Sequence, residues 1–178
     1  MLQTPLGTAL RAVDHCDARS LLMMVRGLAP RDRDIVLKHA VVKALDRGSS
    51  LAPLLAMTML MPRRADLHTG LGFAHLVRDN PAAAERSFRR ALTVDPAAAP
   101  AILGCGVALR TLGLVEAAAE FLLRALEQTD DSAAARAAAD ALRDLLDAPA
   151  APVRADTRPA MDDPIALVAG SAANVFIY

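Results

Sequence analysis

Shifted by 34 residues, the chain falls into register with itself. Gly72 aligns with Gly106, Ala74 with Ala108, Ala84 with Ala118, and Arg90-Ala91-Leu92 with Arg124-Ala125-Leu126, while Phe88 meets Leu122. Backwards by the same step, Leu71 meets Leu37, Ala74 meets Ala40 and Pro96 meets Pro62. A fixed period of this length marks a structural unit that cannot bury its apolar face alone and must stack on copies of itself. Small residues recur where larger side chains would push two helices apart. Proline recurs where it ends a helix, because its ring clashes with the preceding turn. Alanine, the best intrinsic helix former, is the commonest residue.

The residue types at those positions carry a resemblance. Residues 65–98 supply His68, Leu71-Gly72, His75, Ala84, Phe88, Ala91 and Pro96; residues 99–132 supply Ile102, Cys105-Gly106, Leu109, Gly113, Ala118, Leu122 and Ala125. This pattern resembles the tetratricopeptide repeat. The sequence departs from it where His75 and Leu109 replace an aromatic, His68 and Ile102 replace the bulky leading residue, and Asp130 replaces the closing proline. Residues 31–64 keep only Leu37, Ala40, Leu54 and Pro62, and read as a degenerate repeat with helices near 32–46 and 50–61, Ser49 or Ser50 capping the second. The resemblance implies an all-α fold: a right-handed α-solenoid of about three helix pairs, with N-terminal helices, a C-terminal capping helix and an extended tail.

Residues 4–28 place Leu6, Leu10, Val13, Leu21, Leu22, Val25 and Leu28 at helical spacing, predicting one broken or two short helices with Asp14 or Asp17 as a cap at the break. Residues 132–147 predict an Ala-rich capping helix that begins at Ser132 and carries Arg136, Asp140, Arg143 and Asp144 on one face. The repeat domain is therefore expected over 1–148. Residues 149–178 are expected to be a Pro/Ala-rich linker and an apolar C-terminal segment, with Pro149, Pro152, Pro159 and Pro164 followed by Ile165, Leu167, Val168, Val175, Phe176, Ile177 and Tyr178. A free tail is ordinarily polar. This one reads either as closing the apolar end of the array or as a docking peptide for a partner or a neighbouring copy. The first reading is preferred, because exposed apolar termini invite aggregation.

Twenty basic and 20 acidic side chains leave no net charge, which argues against a nucleic-acid protein. The longest apolar stretch, 51–61, falls short of the roughly 18 to 20 residues that span a bilayer and contains Pro53 and Thr58. The first ten residues do not read as a secretory signal, and two cysteines fit a reducing compartment. A cytoplasmic, bacterial protein without membrane insertion is expected. No phosphate loop, dinucleotide fingerprint, HExxH or GxSxG motif is present. Gly70-Leu71-Gly72 and Gly104-Cys105-Gly106 share one repeat phase, so packing explains them better than ligand binding does. His68 and His75 sit two turns apart with Cys105 one repeat later, a remote alternative for a metal-dependent enzyme; zinc wants three or four ligands, and these positions are packing positions. Met23, Met24, Met57, Met59 and Met61 read as core filler, an adaptable contact patch being the second reading. No catalytic residue, metal or cofactor is expected.

Tetratricopeptide arrays bind peptides or helices along a concave surface lined by the first helix of each repeat. The resemblance places Asp66, Thr69, Phe73, Leu76 and Val77 there, and then Leu103, Val107, Arg110 and Thr111. Thr69, Phe73 and Gly104 do not supply the cations and amides that clamp an acidic chaperone C-terminus. The implied function is a non-catalytic interaction module (an adaptor, assembly factor or secretion-type chaperone) that holds an apolar peptide or helix. The alternative is a self-assembling scaffold, a homo-oligomer in which tail or helices dock into the next copy.

Overall fold

A proline stands in the first turn of five helices, where its missing N–H leaves no hydrogen bond unmade and its fixed φ suits the helix. The computed structural model describes residues 4–128 and 132–147. Among these, nine helices and no strand are found: α1 (Pro5–Asp14), α2 (Ala18–Gly27), α3 (Pro30–Leu45), α4 (Ala52–Leu60), α5 (Ala65–Val77), α6 (Pro81–Val94), α7 (Ala99–Thr111), α8 (Val115–Gln128) and α9 (Ser132–Asp147). The prolines are Pro5, Pro30, Pro53, Pro81 and Pro100. Side-chain oxygens cap three starts: Thr4 accepts from Gly7 N at 3.2 Å, Asp17 from Ser20 N at 3.0 Å and Asn80 from Ala83 N at 3.1 Å. At the other ends, α4 and α6 stop two residues before Pro62 and Pro96.

Residues 4–28 are thus two helices, with Asp17 as the cap at the break. Asp14 instead closes α1 and accepts from His39 (2.9 Å) and Lys43 (3.2 Å) on α3. The cap expected at Ser49 or Ser50 is not formed. Leu51 holds the N-cap position of α4 without a side-chain bond, while Ser50 Oγ accepts from Ala52 N and Ser49 donates to Asp46. The proline-rich linker and apolar segment expected over 149–178, Ile165 to Tyr178 included, lie outside the described residues.

Consecutive helices pack on each other from α5 to α9, and every second helix also touches the next but one: α1 on α3, α3 on α5, α5 on α7 and α7 on α9. That pattern is a solenoid, with the first helices of successive pairs forming one continuous row. The turns repeat as well. Gly113 has φ +77° between α7 and α8, and a Cβ there would meet nothing within 4 Å, so conformation rather than space demands glycine. Asp79 adopts φ 55° at the equivalent place one repeat earlier, since Asp tolerates the left-handed region through its short polar side chain.

The joint between repeats is a ring in a slot. Phe88 on α6 is fully buried between glycines of two flanking helices. A Cβ on Gly72 of α5 would stand 2.5 Å from the ring, and one on Gly104 of α7 would run into the same ring. Gly106 plays the matching part for Leu122, 2.7 Å from where a Cβ would lie. Ala84, Ala91, Ala101, Cys105 and Ala108 close round Phe88. The small residues of the register therefore admit side chains across the helix pairs.

A second tie was not visible in the repeat. Arg78, at the C-cap of α5, donates to the carbonyls of Ala44, Asp46 and Ser49 as well as to Ala74. One guanidinium thus satisfies the last carbonyls of α3 and holds the α3–α4 loop against α5, where a cation also meets the negative end of the helix dipole.

Gly104→Ala should destabilise the protein. It gains about 1 kcal/mol of helix propensity, but the added methyl meets the Phe88 ring, and overpacking costs about 1 to 3 kcal/mol. Urea denaturation should show a net loss, and Phe88→Leu in the same chain should recover part of it. Equal losses in both backgrounds would mean that the ring does not set the helix spacing.

Candidate functional site

Side chains on the first-helix row that do not enter the core are left half-exposed. Thr69, Phe73, Leu76, Val77, Leu103, Val107 and Arg110 are half-buried, whereas Asp66 and Thr111 are exposed. Asp66, Thr69 and Phe73 share a cleft of about 370 Å³ with Val41 of α3, Gly70, and Asp95, Ala98 and Pro100 at the α6–α7 junction. Leu76, Val77, Leu103, Val107, Arg110 and Thr111 are not part of its lining and continue along α5 and α7 instead. Gly70 lets α5 close on α3 at the edge of this cleft: a Cβ there would be 2.9 Å from Val41. Phe73 is held in place from behind, edge-on to Phe88 with centroids 5.0 Å apart and planes at 76°.

Two of the charges on this face, Asp66 and Arg110, are already matched. Arg64 donates to Asp66 and to Asp34 (2.8 Å), tying the start of α5 to α3. The hydrogen bond from Arg64 holds the Asp66 carboxyl below its ordinary pKa against the opposing effect of burial. Arg110, expected from the sequence as the one prominent cation of the groove, is engaged by Asp144 of α9 at 2.7 Å. Asp144 therefore does not belong to a purely solvated face of α9; Arg143 and Asp140 pair at 3.3 Å there. What remains unpaired along α5 and α7 is chiefly apolar. Two further apolar residues of the row, Ile35 (41% exposed) and Val42 (66%) on α3, were missed. They stand one repeat before Thr69 and Leu76, so carrying the register back into the degenerate repeat would have found them.

His68, His75 and Cys105 do not assemble into a ligand set. His68 is buried, with Nε2 2.9 Å from the Pro62 carbonyl oxygen. His75 is half-buried, and burial, together with Arg78 and Arg86, lowers its pKa. Cys105 is fully buried, which pushes its thiol up to about 12. No group of three His, Cys, Asp or Glu side chains placed to hold a metal ion occurs among the described residues. The methionines divide: Met57 is fully buried and Met24 and Met61 pack against the core, but Met23 (73% exposed) and Met59 (80%) face outward. Core filling was the wrong expectation for those two; for Met59, helical spacing alone does not say which face the uncharged α4 turns to its neighbours.

The sequence profile of the tetratricopeptide repeat family matches residues 78–142, just over a third of the chain. The match takes in α6, α7, α8 and most of α9, the same helices that pack in sequence around Phe88 and Leu122. The match supports a tetratricopeptide repeat protein. Comparison with curated proteins gives no significant match. The stacking of α1, α3 and α5 extends the tetratricopeptide-type row N-terminal to the matched stretch, and no described helix is long and apolar enough to cross a membrane.

Two outcomes follow for these side chains. Cys16 is exposed and Cys105 buried, and the thiolate is the nucleophile; a maleimide should therefore label one cysteine in the native protein and two after denaturation. The lowered pKa of Asp66 stabilises the fold above the unfolded carboxyl value of about 4 and ceases to do so as pH falls through the folded value. For a pair this exposed, Asp66→Asn should cost under about 1 kcal/mol at neutral pH. Thermal melts of the two proteins should converge in acid; a constant offset would mean that the Arg64 pair contributes nothing.

Proposed function

We propose that this tetratricopeptide repeat protein is a non-catalytic interaction module that receives an apolar peptide or amphipathic helix of another protein along the row of first helices. The observation that carries the reading is the division of labour on α5 and α7. Asp66 and Arg110 are each neutralised within the chain, while Phe73, Leu76, Val77, Leu103 and Val107 are left half-exposed. A partner segment would gain affinity by burying those apolar groups, at about 25 cal/mol per Å² before ordering costs. Long-range charge would add little. The cleft beside Phe73 has the size and lining for one apolar anchor. Adaptor, assembly factor and chaperone are all roles open to such a module. Each requires only that a client segment be held, not that a bond be made or broken.

Val77 and Val107 test this best, because neither belongs to the buried clusters or packs against them. Val77→Glu and Val107→Glu should keep the native circular dichroism. Each should abolish capture of the dominant partner that the unaltered chain retrieves from a lysate of its source cells. Capture of the same partner at the same yield by both variants would rule out the groove. A mass that climbs reversibly with concentration and falls in both variants would mark a self-assembling scaffold instead.

A further inference from the structure

The outer helix α4 carries no charged residue at all, and neither do the residues that flank it from Ser49 to Pro62. One face of it is core, with Leu54 and Met57 fully buried. The opposite face presents Leu55 (43% exposed) and Met59 (80% exposed), one turn apart. A helix on the outside of a solenoid ordinarily turns polar residues to solvent. Beside Met59 lies a cleft of about 440 Å³ between α4 and α6, walled by Thr58, Arg90, Thr93 and Val94 and floored by Pro62 and His68. The floor is polar but satisfied, because Nε2 of His68 is engaged with the Pro62 carbonyl and Thr58 donates to Leu55.

The charge around this cleft has one sign. Arg90 lines it, Arg86 lies one turn earlier on the same face of α6, and Arg63 follows Pro62 at its floor. None of the three arginines makes an ion pair among the described residues. No carboxylate lines the cleft; Glu85, the acidic neighbour on α6, is taken by Arg89. The contrast with the first-helix row is direct: there Asp66 and Arg110 are each paired within the chain, and here three arginines are left open beside exposed thioether and leucine. Methionine adapts to irregular partners, and arginine reads carboxylates through a planar fork.

We infer that the α4–α6 face is a second docking surface, separate from the first-helix row, and that its occupant is a segment of a partner protein carrying an apolar anchor flanked by Asp or Glu. The anchor enters the cleft beside Met59 and the acidic flank meets Arg90, Arg86 and Arg63. Concavity favours an inserted side chain over a flat lipid surface, and the single sign of charge disfavours self-pairing of this face.

The test is a random-peptide display selection on the full chain, with the double variant Met59→Ser, Arg90→Glu used for counter-selection. Both residues are exposed, so the variant should fold. Enriched peptides should place Asp or Glu beside Leu, Ile, Met or Phe, and fluorescence anisotropy should show each peptide weakened at least about tenfold by either single substitution. Val77→Glu and Val107→Glu should leave that binding unchanged, which separates this surface from the proposed groove. Enrichment of neutral or basic sequences, or peptides indifferent to both substitutions, overturns the inference. Phosphatidylserine vesicles bound by the native chain and lost with Arg90→Glu, when no acidic peptide is enriched, would assign the face to a membrane surface. A dimer that dissociates on Met59→Ser would assign it to a second copy; either result overturns the acidic segment.

Discussion

The architecture depends on the absence of two side chains. Without Cβ atoms at Gly72 and Gly104, α5 and α7 leave a slot that one benzene ring fills from α6, and Leu122 enters beside Gly106 in the same manner. Glycine inside a helix costs about 1 kcal/mol relative to alanine. Burying a Phe or Leu side chain contributes about 1.5 to 3 kcal/mol, so the exchange is favourable wherever one glycine admits a large side chain. The cleft on the first-helix row rests on that spacing too. Phe73, which lines the cleft on the first-helix row, leans edge-on against the ring that the glycines admit.

The repeat was legible in the sequence because close packing allows few substitutes: Gly72 and Gly106, Ala84 and Ala118, Phe88 and Leu122 repeat for steric reasons that act locally. Helix boundaries followed from Pro62, Pro96, Asp17 and Gly113, whose backbone preferences are local too. The apolar half-exposed residues of α5 and α7 were legible by register. The ties between repeats were not. Arg78 binds carbonyls that lie 29 to 34 residues earlier, and backbone acceptors leave no mark on residue identity. Arg110 reads as a free cation until Asp144 is seen 34 residues on. Met57 and Met59 look alike in a chain of letters, and only the placement of α4 separates a core methionine from one that faces outward.

The two faces of the described array differ in how charge is handled. On the first-helix row, Arg64 joins Asp66 to Asp34 and Arg110 meets Asp144, which leaves chiefly apolar side chains unpaired along α5 and α7. On the second-helix side, α4 contributes no charge and α6 contributes arginines without carboxylate partners. A chain with no net charge can therefore present a locally cationic surface, because opposite charges are paired in one place and segregated in another.

The Phe88 slot also governs how the array comes apart. In a solenoid whose units touch only through flat interfaces, stability is a sum of unit and neighbour terms, and units can fray singly from an end. Here one ring is the core of two neighbouring units at once. Opening the α5–α6 hairpin strips α7 of its filling, and opening α7 leaves the ring with one wall. The stretch from α5 to α8 thus has the makings of a single cooperative block, the last part of the array to exchange its amide protons, with local opening beginning at its margins.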